Sequence, residues 1–252
     1  MALLTLTRPD DLHLHLRDGA AMAAVVGHSA RRFARAVIMP NLVPPITSTA
    51  AAAAYHARIR AALPAGVEFE PLMTLYLTDN TPRDEVLQAA ESSHVVAAKL
   101  YPAGATTNSD AGVTRLDKVF GVLEAMEDCG LPLLVHGEVA DSDVDVFDRE
   151  KVFIDRILAP TVERFQGLRV VLEHVTTRDG VEFVRAASDR VAATITPHHL
   201  LLSRNAIFAG GVRPHHYCLP VLKRELHRET LVDAATSGDP RFFLGTDSAP
   251  HG

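Results

Sequence analysis

The sequence predicts an α/β protein in which eight short strands alternate with helices, the arrangement of a (β/α)8 TIM barrel. Apolar runs such as residues 131–135 and 169–172 are continuous, as is typical of parallel strands covered on both faces. Helical patterns separate these runs, and eight such units fit a chain of 252 residues. A doubly wound open sheet is the competing fold, but no Gly-x-Gly-x-x-Gly motif follows the first strand.

The strands are predicted from short apolar runs that are bounded by polar or turn-forming residues. In the first strand, leucines alternate with His13, His15 and Arg17, so we expect the three polar side chains on one face and Leu12, Leu14 and Leu16 on the other. The eight strands are predicted at residues 11–18, 34–39, 69–76, 95–100, 131–136, 168–174, 191–196 and 242–246.

The helices are predicted from apolar residues at helical spacing and from residues that begin or end helices. Thr81 is expected to cap a helix with Pro82 in its first turn, Gly130 to end another, and Pro160 to bend or divide a third. The seven helical segments are predicted at residues 19–32, 50–63, 82 onward, 116–129, 150–165, 178–187 and 220–235.

Composition limits the classes of protein and of partner. We expect one domain over residues 1–252, and because no eighth helix follows the last strand, we expect the sequence to be a C-terminally truncated piece of a longer protein. The net charge of −6 and the absence of Lys/Arg runs argue against nucleic-acid and membrane-surface partners. With two cysteines, no signal peptide and no apolar run of about 20 residues, we expect a cytoplasmic protein.

Polar side chains recur where the apolar strands end, which is the catalytic end of a barrel. Four histidines, an aspartate and a lysine in such positions favour a metal site over isolated structural histidines, and imidazole with carboxylate suits zinc. Lys99 lies inside an apolar run, so it must be neutral, modified or directed away from the metal. The strand-end residues are His13, His15, Arg17, Asn41, Lys99, His136, His174 and Asp247.

Weaker signals lie in the loops. The pairs His198/His199 and His215/His216 are either polar loop residues or substrate contacts. Cys218 has no activating neighbour in the sequence and is expected to be a buried thiol. Residues 101–112 are small and polar, which suits a mobile flap over a site.

Taken together, these motifs resemble the dihydroorotase family, in its shorter stand-alone form within the amidohydrolase superfamily. The resemblance covers nearly the whole chain in the same order, which makes it far more specific than a single His-x-His motif. The segments that carry it are residues 11–19, 39–42, 99–109, 134–138, 172–176, 194–200, 211–215, 217–220 and 245–251.

The resemblance implies a barrel with two zinc ions at the carboxyl ends of its strands. His13, His15 and Asp247 would hold one ion, and His136 and His174 the other. Lys99, carboxylated on its ε-nitrogen, would bridge both ions, which would resolve the difficulty of a buried ammonium. The family often has an aromatic residue at the position of Leu12, which we expect to face away from the site.

The resemblance also implies a substrate and a reaction. Reversible hydrolysis of L-dihydroorotate to N-carbamoyl-L-aspartate, the third step of de novo pyrimidine biosynthesis, is expected, with Asp247 carrying the proton. Arg17, Asn41 and His251 would hold the substrate carboxylate, and backbone groups of Leu219 and Ala249 would meet the ring amides. Thr106 and Thr107 would close over the ring, and we expect a homodimer.

Three alternatives remain open from the sequence. A dihydropyrimidinase or hydantoinase acts on similar rings, but its substrates do not require the carboxylate that Arg17, Asn41 and His251 would bind. A catalytically silent barrel that serves as a structural partner would be expected to lose ligands, whereas all six ligand positions are filled. A metal-dependent nuclease would require a basic surface, which the composition does not favour.

Overall fold

A computed structural model describes residues 5–250 and forms a barrel of eight parallel strands. Each strand pairs in parallel with the next one along the chain, so the predicted (β/α)8 architecture is confirmed. The strands are β1 (Asp11–Leu14), β2 (Arg35–Ile38), β3 (Glu70–Tyr76), β4 (Val95–Leu100), β5 (Leu133–His136), β6 (Val170–Glu173), β7 (Val191–Ile195) and β8 (Phe242–Leu244).

The barrel closes between β1 and the residues that follow β8. The backbone N–H of Asp247 donates to the carbonyl of His13 at 2.9 Å, and that of His15 donates to Ser248 at 3.0 Å. Buried Asp11 strengthens this seam, because its carboxylate accepts bonds from the backbone and hydroxyl of Thr246 and from the backbone of His13. The first and last strands are therefore joined next to the predicted ligands.

Helices cover the outside of the barrel. Local capping explains several of their ends: Ser48 accepts a bond from the N–H of Ala51, Thr177 caps the helix after β6, and Gly130 ends α4 at φ +70°. The helices are α1 (Gly19–Ala30), α2 (Thr49–Ala62), α3 (Arg83–Glu91), α4 (Phe120–Cys129), α5 (Arg149–Phe153), α6 (Ala159–Arg164), α7 (Arg178–Ala186), α8 (Pro197–Leu201) and α9 (Glu225–Thr236).

Apolar side chains on the two faces of the strands form two clusters of very different size. Outward-facing residues pack under the helices and form the large core, while a small cluster that includes Val37, Met39, Ala97 and Leu134 fills the barrel interior. Two residues beyond this interior layer, β4, β5 and β6 place Lys99, His136 and Glu173. Since alternate residues of a strand face the same side, these polar side chains point into the barrel above an apolar floor.

Three expectations about individual elements were wrong. In β1 the register shifts between Asp11 and Leu14, and Leu12 packs in the interior cluster while Leu14 and Leu16 lie in the outer core. The alternation predicted from Leu12 onward therefore fails at Leu12. The irregularity in β1 turns the Leu12 side chain to the face opposite that of Leu14 and Leu16.

The other two wrong expectations concern helices, and one further helix was not predicted. The last helix begins at Glu225 rather than at Pro220, and residues 221–224 have no helical structure. Thr81 does not cap α3; its hydroxyl accepts a bond from the N–H of Thr78 instead, and Pro82 precedes the helix. α8 was not predicted. The division expected near Pro160 is observed, because a π-helical turn (Ile154–Leu158) separates α5 from α6, whose second residue is Pro160.

Among residues 5–250, no helix has the length and apolar composition required to span a membrane.

Candidate active site

Three of the predicted ligands meet at the carboxyl end of the barrel. The Nε2 atoms of His13 and His15 are 3.2 Å apart, and Asp247 Oδ1 lies 3.4 Å from the first and 3.2 Å from the second. Ligand atoms about 2.0–2.1 Å from a tetrahedral zinc ion are separated from each other by about 3.3 Å. The three side chains thus already have the spacing of one face of a zinc coordination tetrahedron.

His136 and His174 form a second group beside the first. His136 Nδ1 is 3.2 Å from His174 Nε2, again the separation of two zinc ligands. The rings of His13 and His174 have centroids 5.0 Å apart, so the two groups are neighbours. Burial holds the pKa of His174 well below its usual value, and burial also lowers the pKa of His15. Neutral imidazoles with available lone pairs are the form that binds metal.

The backbone is strained at three residues of the site. Arg17, His174 and Asp247 have φ values of +62°, +42° and +50°, in the left-handed region that non-glycine residues rarely adopt. Such conformations persist only where the surrounding structure enforces them, and they concentrate at functional sites. Here they turn the side chains at the ends of β1, β6 and β8 toward the barrel opening.

Lys99 lies beneath the histidines and is completely buried. Its Nζ donates to Glu173 Oε2 at 2.8 Å and lies 5.0 Å from the centre of the Tyr101 ring. Burial lowers the pKa of Lys99, and the charge of Glu173 partly offsets this effect. Lys99 thus shares one carboxylate, that of Glu173, with His13, and its charge contributes to the lowered pKa of His174.

Each of the predicted ligand histidines except His174 has an oxygen near its other ring nitrogen. Glu173 Oε2 contacts His13 Nδ1 as well as Lys99, and His15 Nδ1 lies 2.8 Å from Asn41 Oδ1. His136 Nε2 lies 3.3 Å from Glu138 Oε2. An acceptor at the far nitrogen places the proton there and leaves the inward nitrogen free to bind metal. Glu138 and Glu173 were not predicted as site residues, although each stands within two positions of a ligand in the sequence.

Asp247 is the ionised member of the first group. Burial would raise its pKa, but the nearby imidazoles of His13 and His15 outweigh burial and lower it well below the usual value. A carboxylate that stays ionised at neutral pH can bind a cation and can accept a proton.

A cavity of about 710 Å³ opens above these residues. Arg17 reaches its wall, where Nε donates to the carbonyl of Pro250 at 2.9 Å, while buried Nη1 has no hydrogen-bond partner within residues 5–250. Leu219 and Ala249, which were predicted to meet the substrate ring, also line the cavity. His251 lies outside the described residues. Asn41 lines the cavity, and its amide bridges His15 and Thr107.

The loop after β4 forms one side of the cavity and carries Thr106 and Thr107. Asn41 Nδ2 donates to the carbonyl of Thr107 at 3.1 Å, and Asn108 Nδ2 donates back to the carbonyl of Asn41 at 3.0 Å. The loop is therefore held over the site by two reciprocal hydrogen bonds, each donated by a side-chain amide to a backbone carbonyl. Its mobility stays a prediction.

The weaker sequence signals divide into two groups. His198, His215, His216 and Cys218 line the cavity, whereas His199 is buried with Nδ1 bonded to Thr196 and Nε2 to the carbonyl of Pro220. Burial raises the pKa of the Cys218 thiol to about 11, so at neutral pH it is protonated and a poor nucleophile.

Comparisons with known proteins agree with this geometry. Residues 6–252 match the amidohydrolase family. The dihydroorotase of Azoarcus sp. (strain BH72) is 70% identical over 251 residues, which are 100% of this chain and 73% of that protein. The dihydroorotase of Cupriavidus pinatubonensis is 68% identical over 98% of this chain and 72% of its own length.

Solved structures give the same result. A dihydroorotase from Campylobacter jejuni superposes with a TM-score of 0.90 at 39% identity, covering 97% of this chain and 70% of that one. Dihydroorotase from Saccharomyces cerevisiae, in complex with 5-fluoroorotic acid, gives a TM-score of 0.86 at 34% identity over 96% of this chain and 70% of its own. An L-hydantoinase from Arthrobacter aurescens, 18% identical with a TM-score of 0.77, covers 95% of this chain and 57% of its own and shares the fold alone.

Proposed function

The chain belongs to the amidohydrolase family and, within it, to the dihydroorotases, and on this basis we propose that it catalyses the reversible hydrolysis of L-dihydroorotate to N-carbamoyl-L-aspartate. The bond cleaved is the cyclic amide of the ring, and in the biosynthetic direction the same bond is formed. The chemistry takes place in the cavity above His13, His15, His136, His174 and Asp247.

The observation that carries this proposal is the position of Arg17 beside the ligand cluster. Its Nη1 is buried at the cavity wall without a partner in the described chain, although a buried guanidinium requires an anion or acceptors. A substrate carboxylate would supply them through the planar fork of the guanidinium. The yeast relative was crystallised with 5-fluoroorotic acid, a ring that carries such a carboxylate.

The donor set fits two zinc ions. His13, His15 and Asp247 would hold one, and His136 and His174 the other, because both groups have ligand separations that match tetrahedral zinc. Bound together, two such ions would supply Lewis-acid polarisation and an activated nucleophile at neutral pH.

We infer that Lys99 carries a carboxyl group when the site is loaded. The neutral amine adds to carbon dioxide, forming an N–C bond and releasing one proton, which turns a cationic side chain into an anionic one with two oxygen ligands. The contact that Lys99 shares with His13 through Glu173 and its charge effect on His174 support this inference, as does its complete burial. The modified nitrogen would retain one N–H group, which would still donate to Glu173.

The remaining steps belong to side chains of this chain. Arg17 holds the substrate carboxylate and so fixes the ring over the ligand cluster, while the backbone of Leu219 and Ala249 faces the ring amides. In the hydrolytic direction Asp247 accepts a proton from the attacking nucleophile and donates it to the departing ring nitrogen. Thr106 and Thr107 cover the ring and exclude water from the reacting carbonyl.

A comparison of two substrates tests the proposal. The zinc-loaded protein should hydrolyse dihydroorotate with a kcat/KM at least about 100-fold above that for dihydrouracil, which lacks the carboxylate and leaves Arg17 unpaired. Equal values would indicate a dihydropyrimidinase-like enzyme instead. Loss of both activities in a protein that retains its metal would indicate a silent barrel.

Replacing Arg17 by lysine tests the carboxylate contact directly. An ammonium cannot form the two parallel hydrogen bonds of a guanidinium, so we expect KM for dihydroorotate to rise about 10–100-fold with a smaller change in kcat. Steady-state kinetics measures both constants, and metal content provides the control. An unchanged KM would show that Arg17 does not bind the carboxylate.

The homodimer and the cytoplasmic location remain proposals. Two cysteines, Cys129 and Cys218, are present as free thiols, which suits a reducing compartment. Light scattering coupled to gel filtration would measure the oligomeric state.

A further inference from the structure

A second group of metal-ligating side chains lies outside the active site. It comprises His56 on α2, Glu70 at the first position of β3 and His94 immediately before β4. His56 Nε2 is 3.3 Å from Glu70 Oε1, and the rings of His56 and His94 are stacked with centroids 4.2 Å apart and planes inclined by 21°. One ligand atom of each residue lies within 4.8 Å of the others.

This cluster is at the opposite end of the barrel from the cavity. Glu70 and His94 stand at the amino ends of their strands, whereas Lys99 is five positions after His94, or about 16 Å along β4. None of the three residues lines the active-site cavity. A cation bound here would therefore be separate from any ion in the catalytic site.

One carboxylate oxygen of Glu70 faces the histidines, and the other faces Arg60. Arg60, one helical turn after His56, donates to the carbonyl of Phe69 at 2.9 Å and lies 3.5 Å from Glu70 Oε2, while Oε1 faces His56. The His56 side chain is 13% exposed and Glu70 is 48% exposed, so a hydrated ion can reach the group from solvent.

We propose that His56, Glu70 and His94 bind a divalent transition-metal ion, of which Zn²⁺ is the natural candidate. Two imidazoles and one carboxylate are ligands that suit zinc and its first-row neighbours, with the fourth position left to water. Zinc would draw ligand atoms now at most 4.8 Å apart to about 3.3 Å, a shift that side-chain rotation at the surface allows.

Occupancy would add a link between α2 and the strands β3 and β4, which already pair with each other in the sheet. The ion would connect α2 to the amino ends of β3 and β4, and since an ion that binds only the folded state stabilises it, bound metal should raise Tm. The inference does not depend on the catalytic assignment, because the reacting residues lie at the other end of the strands.

Counting bound zinc tests the site. The active, zinc-loaded protein, freed of unbound metal and titrated with Zn²⁺ by calorimetry and metal analysis, should bind one more equivalent than His94→Asn at the same free concentration. Catalytic activity should be unchanged in that variant. His28→Asn, a change at an exposed histidine of α1, is the matched control and should bind as many equivalents as the wild type.

Glu70→Gln provides a second, independent variant at an exposed position. It preserves side-chain shape but removes the charge, so we expect at least a tenfold weaker Kd for the additional zinc ion and a smaller zinc-dependent rise in Tm. Equal zinc stoichiometry in the wild type and His94→Asn would overturn the proposal. If His94→Asn does not fold, an unchanged zinc affinity in Glu70→Gln would overturn it in the same way.

Discussion

At the scale of single residues, Asp247 combines two properties that a proton carrier in this site requires. Its pKa is lowered, so it is a base at neutral pH, and it lies against the ligand histidines at the floor of the cavity. Asp247→Asn preserves shape but removes the basic oxygen, and we expect kcat to fall about 10²–10⁴-fold. The measurement is steady-state turnover together with metal analysis. Near-normal turnover with metal content intact would exclude the proton-carrying role.

Glu173 acts through other residues. One of its oxygens contacts both His13 Nδ1 and Lys99 Nζ, so we expect it to set the position of the proton on His13 and to orient the lysine. Glu173→Gln keeps the size but offers a weaker, uncharged acceptor, and we expect metal affinity to fall about 10–100-fold. Competition with a chelator measures this affinity without any reference to activity. Glu182→Gln, at an exposed position of α7, is the control; an unchanged affinity in Glu173→Gln would refute the positioning role.

The residues that sequence reasoning located differ from those it missed in a physical way. Histidines and Lys99 stand out because polar groups at the ends of apolar strands are unusual, whatever the final geometry. Glu138 and Glu173 were missed because their importance depends on which ring nitrogen they face, and that is a property of the folded site. A buried acid beside a ligand in the sequence is the only signal that could have identified them.

At the scale of elements, the eight strands were predictable because each is a short apolar run whose position does not depend on its neighbours. Details that arise between elements were not. The irregularity in β1 turns Leu12 inward, and it occurs where Asp11 accepts hydrogen bonds from Thr246 just after β8, a contact over 235 positions in sequence. The late start of α9 at Glu225 likewise reflects a contact distant in sequence: within residues 221–224, buried Lys223 lies 3.8 Å from buried Glu138.

The loop that carries Thr106 and Thr107 is anchored at its far end by Asp79. This carboxylate accepts bonds from the backbone and hydroxyl of Thr114 and from Lys118, and these contacts lower its pKa from 3.8 to about 2. Because the folded-state pKa is depressed, the contribution to stability is complete above 3.8 and is lost as the pH falls through about 2.

We therefore expect Asp79→Asn to lower Tm at pH 6 and to differ progressively less from the wild type between pH 4 and pH 2. Scanning calorimetry of both proteins across this range measures the difference. Asp110→Asn, at an exposed position in the same loop, should show no such convergence. A Tm difference that does not change with pH would show that the contacts of Asp79 are not electrostatic.

At the scale of the whole molecule, the two ends of the barrel carry different groups of polar residues. The carboxyl ends hold a ligand cluster, a cavity and three strained residues, while the amino ends hold the His56, Glu70 and His94 group. Between them lies the apolar interior layer that includes Val37 and Leu134. The strained conformations at the carboxyl ends persist only if the barrel is rigid. At the seam between β1 and β8, that rigidity depends on few contacts.

Asp11 is the residue on which this seam depends most. Its buried carboxylate satisfies the backbone N–H groups of His13 and Thr246 and the Thr246 hydroxyl, and Asp11→Ala would leave all three donors without this acceptor. Since each buried unsatisfied donor costs about 1–3 kcal/mol and water can reach Thr246 in part, we expect the free energy of unfolding to fall by about 3 kcal/mol. In a chain of this size that corresponds to a decrease in Tm of roughly 6–12 °C.

Thermal unfolding and amide hydrogen exchange together measure the effect of Asp11. Exchange should accelerate at the N–H groups of His15 and Asp247, because both donate across the seam next to the lost carboxylate. Asp11→Asn keeps one acceptor oxygen and should lose about half as much stability. If Asp11→Ala unfolds at the wild-type temperature with unchanged exchange at these two amides, the barrel is closed by its backbone bonds alone, and the carboxylate serves only to shape the start of β1.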